Sequence, residues 1–223
     1  MKATYLPKFA EYADKGIAYI PVGTIEWHGG YLPIETDFMI ATKICDLVAK
    51  DYPGYILPPF YLGGYGSAML DGVEMRGMDR KLKKKLPGNL YFLKKELLVE
   101  VLNALVDNLE KQGFRKIIII TGHGGSNQTA ALEEAAKNKK VLFVNPYDSV
   151  TVHHADEGEI SVLWACHPEE EAKSREFQVM DEDLVEYYGY DPIEKSSIEM
   201  GKTHLDTMVE FSKGLAADFI TKK

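Results

Sequence analysis

The sequence predicts an α/β protein: a three-layer α/β/α sandwich with helices on both faces of a mainly parallel central sheet. Two observations carry this. First, short apolar runs at Ile17–Val22, Lys116–Thr121 and Val141–Val144 have the length and β-branched content of buried strands. Second, segments with helical periodicity alternate with these runs at the spacing of βαβ units, which places successive strands in parallel.

Taken in order, residues 5–15 form a short amphipathic approach to the first strand, Ile17–Val22, which is bounded by Gly16 and Gly23. Thr36 then caps a helix whose apolar positions are Met39, Ile40, Ile44, Leu47 and Val48, ending at the breaker Asp51-Tyr52-Pro53-Gly54. A brief strand, Tyr55–Leu57, leads into residues 58–89, which read as irregular and rich in Gly and Tyr. So long a loop is usually functional, and this one suits a pocket wall or a subunit contact. Residues 91–112 form the strongest helix, with Leu97, Leu98, Val101, Leu102, Leu105 and Leu109 in one stripe and Gly113 as its stop. A further helix runs from about Ser126 into Ala136. Residues 168–195 are acidic and show no period, and Ser196-x-x-Glu199 resembles a capping box opening a last helix to about Phe219. With no internal repeat and no linker, residues 1–223 read as one domain.

Composition narrows the function. An apolar share of 45% and a charged share of 27% suit a soluble globular chain, and 223 residues can bury a substantial core. No segment has the apolar length of a membrane span, and a signal-peptide pattern is lacking, so no membrane partner and a cytoplasmic location are expected. Cys45 and Cys166 lie in apolar-periodic segments and read as reduced core thiols. A formal charge of −8 argues against a nucleic-acid partner.

The chemistry gathers at strand ends, where open α/β sheets bind ligands. Glu26 and His28 follow the first strand two residues apart, so an extended chain points both the same way, and Asp37 falls in the first turn of the next helix. Alone, these would read as a surface Glu and a dipole-stabilised Asp. His123, however, stands among Gly122, Gly124 and Gly125 at the exit of a second strand, where packing gives it little purpose and glycines admit close approach. A third cluster, His153-His154-Ala155-Asp156-Glu157-Gly158-Glu159, follows the third run. Three such clusters can converge on one metal site or a pair of them.

These residues resemble the creatininase (creatinine amidohydrolase) family of metal-dependent hydrolases. Its Gly-x-x-Glu-x-His-Gly-x-x-Leu-Pro-x-x-x-Asp pattern runs here from Gly23 to Asp37, and its Asn-Gly-His-Gly-Gly-Asn pattern corresponds to Thr121–Ser126. Its His-Ala-Gly-Glu-x-Glu-Thr-Ser pattern corresponds to His154–Ser161, with departures at Asp156 and Ile160. The matches come in family order and span most of the chain.

The resemblance implies a binuclear centre holding two divalent metal ions, zinc, manganese or iron. Glu26, Asp37 and His123 would hold one ion, and His28 with Asp37 the other. Where creatininase carries a ligand Glu, this chain has Gly125, and Glu159 is the expected replacement. His154 matches the residue with an acid–base role, and Glu157 would orient His154 or a water. Residue chemistry agrees: carboxylates and imidazoles suit borderline divalent ions, and Asp37 is the natural bridging anion between two of them. Bound metal supplies a hydroxide nucleophile and stabilises the oxyanion, and a free His delivers a proton to the leaving nitrogen.

The expected activity is hydrolysis of a non-peptide C–N bond in a small cyclic amide or formamide by a metal-bound hydroxide. Within the family, the substrate would be creatinine or a formylamino-pyrimidine nucleotide, or the end of a peptide. A metal-binding subunit without turnover is the reading from a different class. The partner is thus a small-molecule amide, and a homo-oligomer, a hexamer by resemblance, is expected. Pro87-Gly88-Asn89 matches a Pro-Gly-Thr near the family's active site, but Arg80, Lys81, Lys83, Lys84 and Lys85 stand where a His usually precedes it. The run is either a solvated face or the contact for an anionic group, such as phosphate, on the substrate. His153 reads as a pocket residue, His167 and His204 as structural, and Trp27 as pointing away from the metals into packing.

Overall fold

The structure, a computed structural model, describes residues 4–176 and 181–222. In chain order its elements are α1 (Leu6–Lys15), β1 (Ile17–Val22), α2 (Thr36–Asp51), β2 (Tyr55–Ile56), β3 (Gly63–Gly64), β4 (Ser67–Leu70), β5 (Val73–Arg76), α3 (Asp79–Leu82), β6 (Phe92–Leu93), α4 (Lys95–Lys111), β7 (Lys116–Thr121), α5 (Ser126–Ala135), β8 (Val141–Val144), α6 (Glu157–Cys166), α7 (Glu169–Glu176), α8 (Glu182–Tyr188), α9 (Pro192–Lys195) and α10 (Ile198–Thr221).

The central sheet has the order β2-β1-β7-β8 and every pairing in it is parallel. Both its faces are covered, which is why its strands read as continuous apolar runs. Tyr19, Ile118, Ile120 and Val144 pack against α2, α6 and α10 on one face, while Ala18, Ile20, Val22, Ile117, Ile119 and Val141 meet α1, α4 and α5 on the other. A slip of one residue would exchange the two sets, so the register is strongly specified. That register pairs β1 with β7 from Ile17↔Lys116 to Val22↔Thr121, ending the two strands level. Gly122 N–H donates to the Val22 carbonyl at 2.8 Å, and the loops carrying Glu26 and His123 therefore leave the sheet side by side.

Several sequence expectations need correction. Residues 58–89 are not irregular throughout: Ser67–Arg76 is an antiparallel hairpin, turned by Asp71 and Gly72 with φ of 50° and 80°. Two positive φ values are what a tight hairpin turn requires, and Asp-Gly supplies them. The helix expected from residue 91 starts at Lys95, because Phe92–Leu93 pairs with Gly63–Gly64 instead. In that helix Leu97 is exposed, and Val106 takes a place in the buried stripe. Thr36 is the first residue of α2 rather than its cap, its hydroxyl donating to the Pro33 carbonyl. Residues 168–195 contain α7, α8 and α9. Ser197, not Ser196, caps α10, accepting from Met200 N–H. Among the described residues no helix is long and apolar enough to cross a membrane, and Cys45 and Cys166 are buried and unpaired.

Candidate metal centre and substrate cavity

Beyond β1 the chain stays extended, held by Glu26 N–H to the Ile34 carbonyl (3.2 Å) and Trp27 N–H to Asn89 Oδ1 (3.0 Å). Glu26 and His28 thus turn inward together and are buried. His28 Nδ1 donates to the Glu26 carbonyl at 3.0 Å, which leaves Nε2 facing Asp37 Oδ1 at 3.1 Å and Glu159 Oε2 at 3.8 Å. Fixing one imidazole nitrogen by a backbone bond is the usual way to present the other to a ligand.

Asp37 sits in the first turn of α2, where helix partial charge favours a carboxylate. Its Oδ2 accepts from Thr24 N–H at 3.1 Å and lies 3.2 Å from His123 Nδ1. This closeness depends on Gly122, since a Cβ there would fall 1.9 Å from the Asp37 carbonyl oxygen. At Gly125 a Cβ would lie 2.2 Å from His123 Nε2, so a side chain at 125 would require the His123 ring to shift. From α6, whose cap Asp156 accepts from Glu159 N–H, Glu159 reaches the same centre; its Oε2 accepts from Ala155 N–H (2.6 Å) and its Oε1 from the Tyr147 hydroxyl (3.4 Å). His154 Nε2 donates to the Trp27 carbonyl at 2.6 Å, and its Nδ1 lies 3.6 Å from Glu26 Oε1.

Three sets of donor atoms result, each with its members within 4.8 Å of one another: Glu26/Asp37/His123, His28/Asp37/Glu159 and Glu26/His28/His154. Asp37 is common to the first two. The third, with His154 as a donor, was not read from the sequence.

The electrostatics are those of a centre built around positive charge. Burial raises the Glu26 and Asp37 carboxyls, but the neighbouring imidazoles outweigh it and hold both below the usual range. Burial lowers His28 and His123, yet Asp37 and Glu26 reverse this, bringing His28 to about 9 and His123 well above its ordinary value. Burial lifts Glu159 to about 7 against the pull of His28, and pushes His154 down to about 4, with His28 adding to the effect. Glu26 Oε1 is a further sign. It lies 2.7 Å from His123 Nδ1 without hydrogen-bond geometry and has no hydrogen-bond partner among the described residues. In the metal-free protein the charge of His123 compensates this buried oxygen, and a bound cation that displaced the His123 proton would take over that part. The donor set fits a divalent ion of the zinc, manganese or iron kind.

The centre forms part of the wall of a cavity of about 420 Å³, closed further by Tyr65, Met78, Phe92, Asn145 and Tyr147. Glu26, Asp37, His123, His154 and Glu159 all line it, as does His153. Glu157 stands apart: it does not line the cavity, and its Oε2 accepts from the Tyr190 hydroxyl. His167 lies 3.5 Å from Glu169 at the end of α6, and His204 lies within α10. Trp27 joins the core, its ring stacked 6.3 Å from that of His154. The lysine run divides: Arg80 and Lys81 line the cavity, while Lys84 pairs with Asp183 and Lys85 with Asp79. Two residues escaped the sequence reading. Tyr147 lies three residues beyond the end of β8, so the strand-end rule that singled out Glu26 and His123 would have reached it. Asp79 accepts from Leu86 N–H and from Asn89 Nδ2, and Asn89 in turn holds Trp27; no local pattern announces it.

A parallel α/β sandwich with a buried carboxylate–imidazole centre at its strand ends defines the class. The chain belongs to the creatininase family, whose model, creatinine amidohydrolase, matches residues 3–209. The fold is similar to that of the solved manganese creatininase (TM-score 0.72, 16% identity, covering 97% of this chain and 96% of that one). It is likewise similar to a candidate creatinine amidohydrolase from Bacteroides fragilis (TM-score 0.69, 23% identity, 99% and 95% covered). At these identities the likeness concerns the fold. Among curated proteins, the 2-amino-5-formylamino-6-ribosylaminopyrimidin-4(3H)-one 5'-monophosphate deformylase of Methanococcus maripaludis is 28% identical over 146 residues. That match covers 63% of this chain and 55% of the relative's length.

Proposed function

We propose that this protein is a metal-dependent amidohydrolase that cleaves a non-peptide C–N bond in a small cyclic amide or formamide. The observation that carries the reading is the convergence of Glu26, His28, Asp37, His123 and Glu159 on shared points beside the cavity. Glu26, Asp37 and His123 would hold one ion, and His28, Asp37 and Glu159 a second. Such ions supply an ionised water near neutral pH and a Lewis acid for the carbonyl.

The chain's own part is positioning and proton handling. His154 commits Nε2–H to the Trp27 carbonyl, which leaves the Nδ1 lone pair facing the centre. With its pKa near 4 it is neutral at pH 7; so low a value makes Nδ1 a weak base, and a proton it takes from the attacking water is readily passed on. Returned to the departing nitrogen, that proton completes the sum: amide plus water gives carboxylic acid plus amine. Trp27, packed beside His154, keeps the ring in place.

Within this chemistry, a formylamino-pyrimidine nucleotide is favoured over creatinine by the deformylase name of the curated relative and by the cations at the cavity. The test is elemental analysis of purified protein followed by turnover of creatinine, simple formamides and a formylamino-pyrimidine nucleotide, before and after chelation. The proposal expects divalent metal and chelator-sensitive release of formate or amine. Bound metal without hydrolysis of any of these would favour a metal-binding subunit instead.

A further inference from the structure

We propose that Arg80 and Lys81 form an anion subsite at the mouth of the cavity, which takes a phosphate monoester on the substrate while the scissile amide lies at the carboxylate–imidazole centre. The inference rests on the hydrolase reading for the second half of that statement only.

Basic side chains on a surface are ordinarily solvated or paired, and the neighbours of these two are paired. Arg76 binds Glu74 and lies over the Tyr65 ring, Lys84 meets Asp183, and Lys85 meets Asp79 at 3.1 Å. Arg80 and Lys81 have no carboxylate within 4.0 Å among the described residues, yet both line the cavity that contains the acidic centre. In a chain of net charge −8, two uncommitted cations beside a cavity rich in carboxylates do not arise from general basicity.

Their mounting is also rigid. Both belong to the single turn α3, whose first residue, Asp79, is buried and accepts from Leu86 N–H, Asn89 Nδ2, Arg76 N–H and Lys85 Nζ. Just before it, Gly77 lies against Glu26: a Cβ there would be 3.4 Å from Glu26 Oε2. Arg80 itself runs along the Gly66 edge of the cavity, where an added Cβ would come within 2.7 Å of Nη1. Gly125 and Ser126, at the start of the ten-residue α5, line the same space, and no side chain caps that helix. Its first-turn N–H groups add partial positive charge on the side of an anion. A guanidinium, an ammonium and a helix start together match a phosphate better than a carboxylate, because phosphate offers acceptors in several directions.

The experiment titrates ribose 5-phosphate, ribose and inorganic phosphate into the full-length, metal-loaded protein and into Arg80→Ala, Lys81→Ala and Lys83→Asn. Lys83 is exposed and does not line the cavity. None of these probes carries an amide, so the outcome stands apart from whether the protein hydrolyses one. The wild type should bind ribose 5-phosphate at least about tenfold more tightly than ribose or inorganic phosphate. Arg80→Ala and Lys81→Ala should each erase most of that preference, and Lys83→Asn should retain it. Three results overturn the subsite: no preference for the phosphorylated sugar, a preference unchanged in both cavity variants, or inorganic phosphate binding as tightly as ribose 5-phosphate. Unchanged melting temperatures verify that the variants fold, as expected for exposed side chains.

Discussion

Two buried acidic centres lie close together in this molecule, and they differ in how their oxygens are satisfied. Asp79 divides four donors between its two oxygens, at 2.9 Å from Leu86 N–H, 3.0 Å from Asn89 Nδ2, 3.1 Å from Lys85 Nζ and 3.3 Å from Arg76 N–H. Glu26, Asp37 and Glu159 instead crowd three carboxylates around shared points, with Glu26 Oε1 facing only the His123 imidazole at 2.7 Å and Glu159 raised to about 7. A fully bonded buried carboxylate stabilises its own loop. Like charges gathered with acceptors to spare mark a place where a cation belongs.

The comparison can be broken first at Glu159. Glu159→Gln should lose one of two bound ions after dialysis, whereas Glu157→Gln, bonded to Tyr190 outside the cavity, should keep both. The reverse stoichiometry would mean that the third motif is misassigned. Next in size is His154→Ala, expected to lower turnover by about 10²–10⁴-fold with metal content intact. Since His154 also forms a donor set with Glu26 and His28, loss of metal in that variant would make it a ligand instead.

The acidity of the centre gives a third prediction. In metal-free protein, His28, with a pKa of about 9, and His123 hold protons at pH 7. Metal must displace them, so apparent affinity should rise with pH toward about 9, by up to about tenfold per unit for each proton released. The same raised pKa stabilises the metal-free fold fully below 6.5 and ceases to do so as pH rises through about 9. Calorimetry in buffers of different ionisation enthalpy reads the proton release directly; metal binding without it would contradict the assignment. The smallest effect belongs to the satisfied centre. Asp79→Asn leaves donors facing an amide, costing about 1–3 kcal/mol of stability in denaturant unfolding. Metal content should not change, and a loss of ions there would erase the distinction between the two centres.

Much of this was legible in the sequence. β1, β7 and β8 announce themselves because both sheet faces are covered, and Glu26, His28, Asp37 and His123 stand at fixed distances from those strand ends. The rim was not legible. In the Ser67–Arg76 hairpin, Met69 and Val73 are exposed, so no inward–outward alternation marks the strands, although Asp71-Gly72 was a turn signal that could have been used. Helices α8 and α9 carry few buried side chains and are started by the caps Asp181 and Asp191, so a search for apolar stripes passes over them. Asp79 bonds residues as far as ten positions along the chain, which only the folded loop brings to it.

The central claim is that Asp37 is shared between two metal positions. It is tested most directly by elemental analysis of wild-type protein and Asp37→Ala purified in parallel. Two divalent ions per chain in the wild type, and loss of both in the variant with the fold retained by circular dichroism, is the predicted result. Retention of two tightly held ions by Asp37→Ala would contradict it.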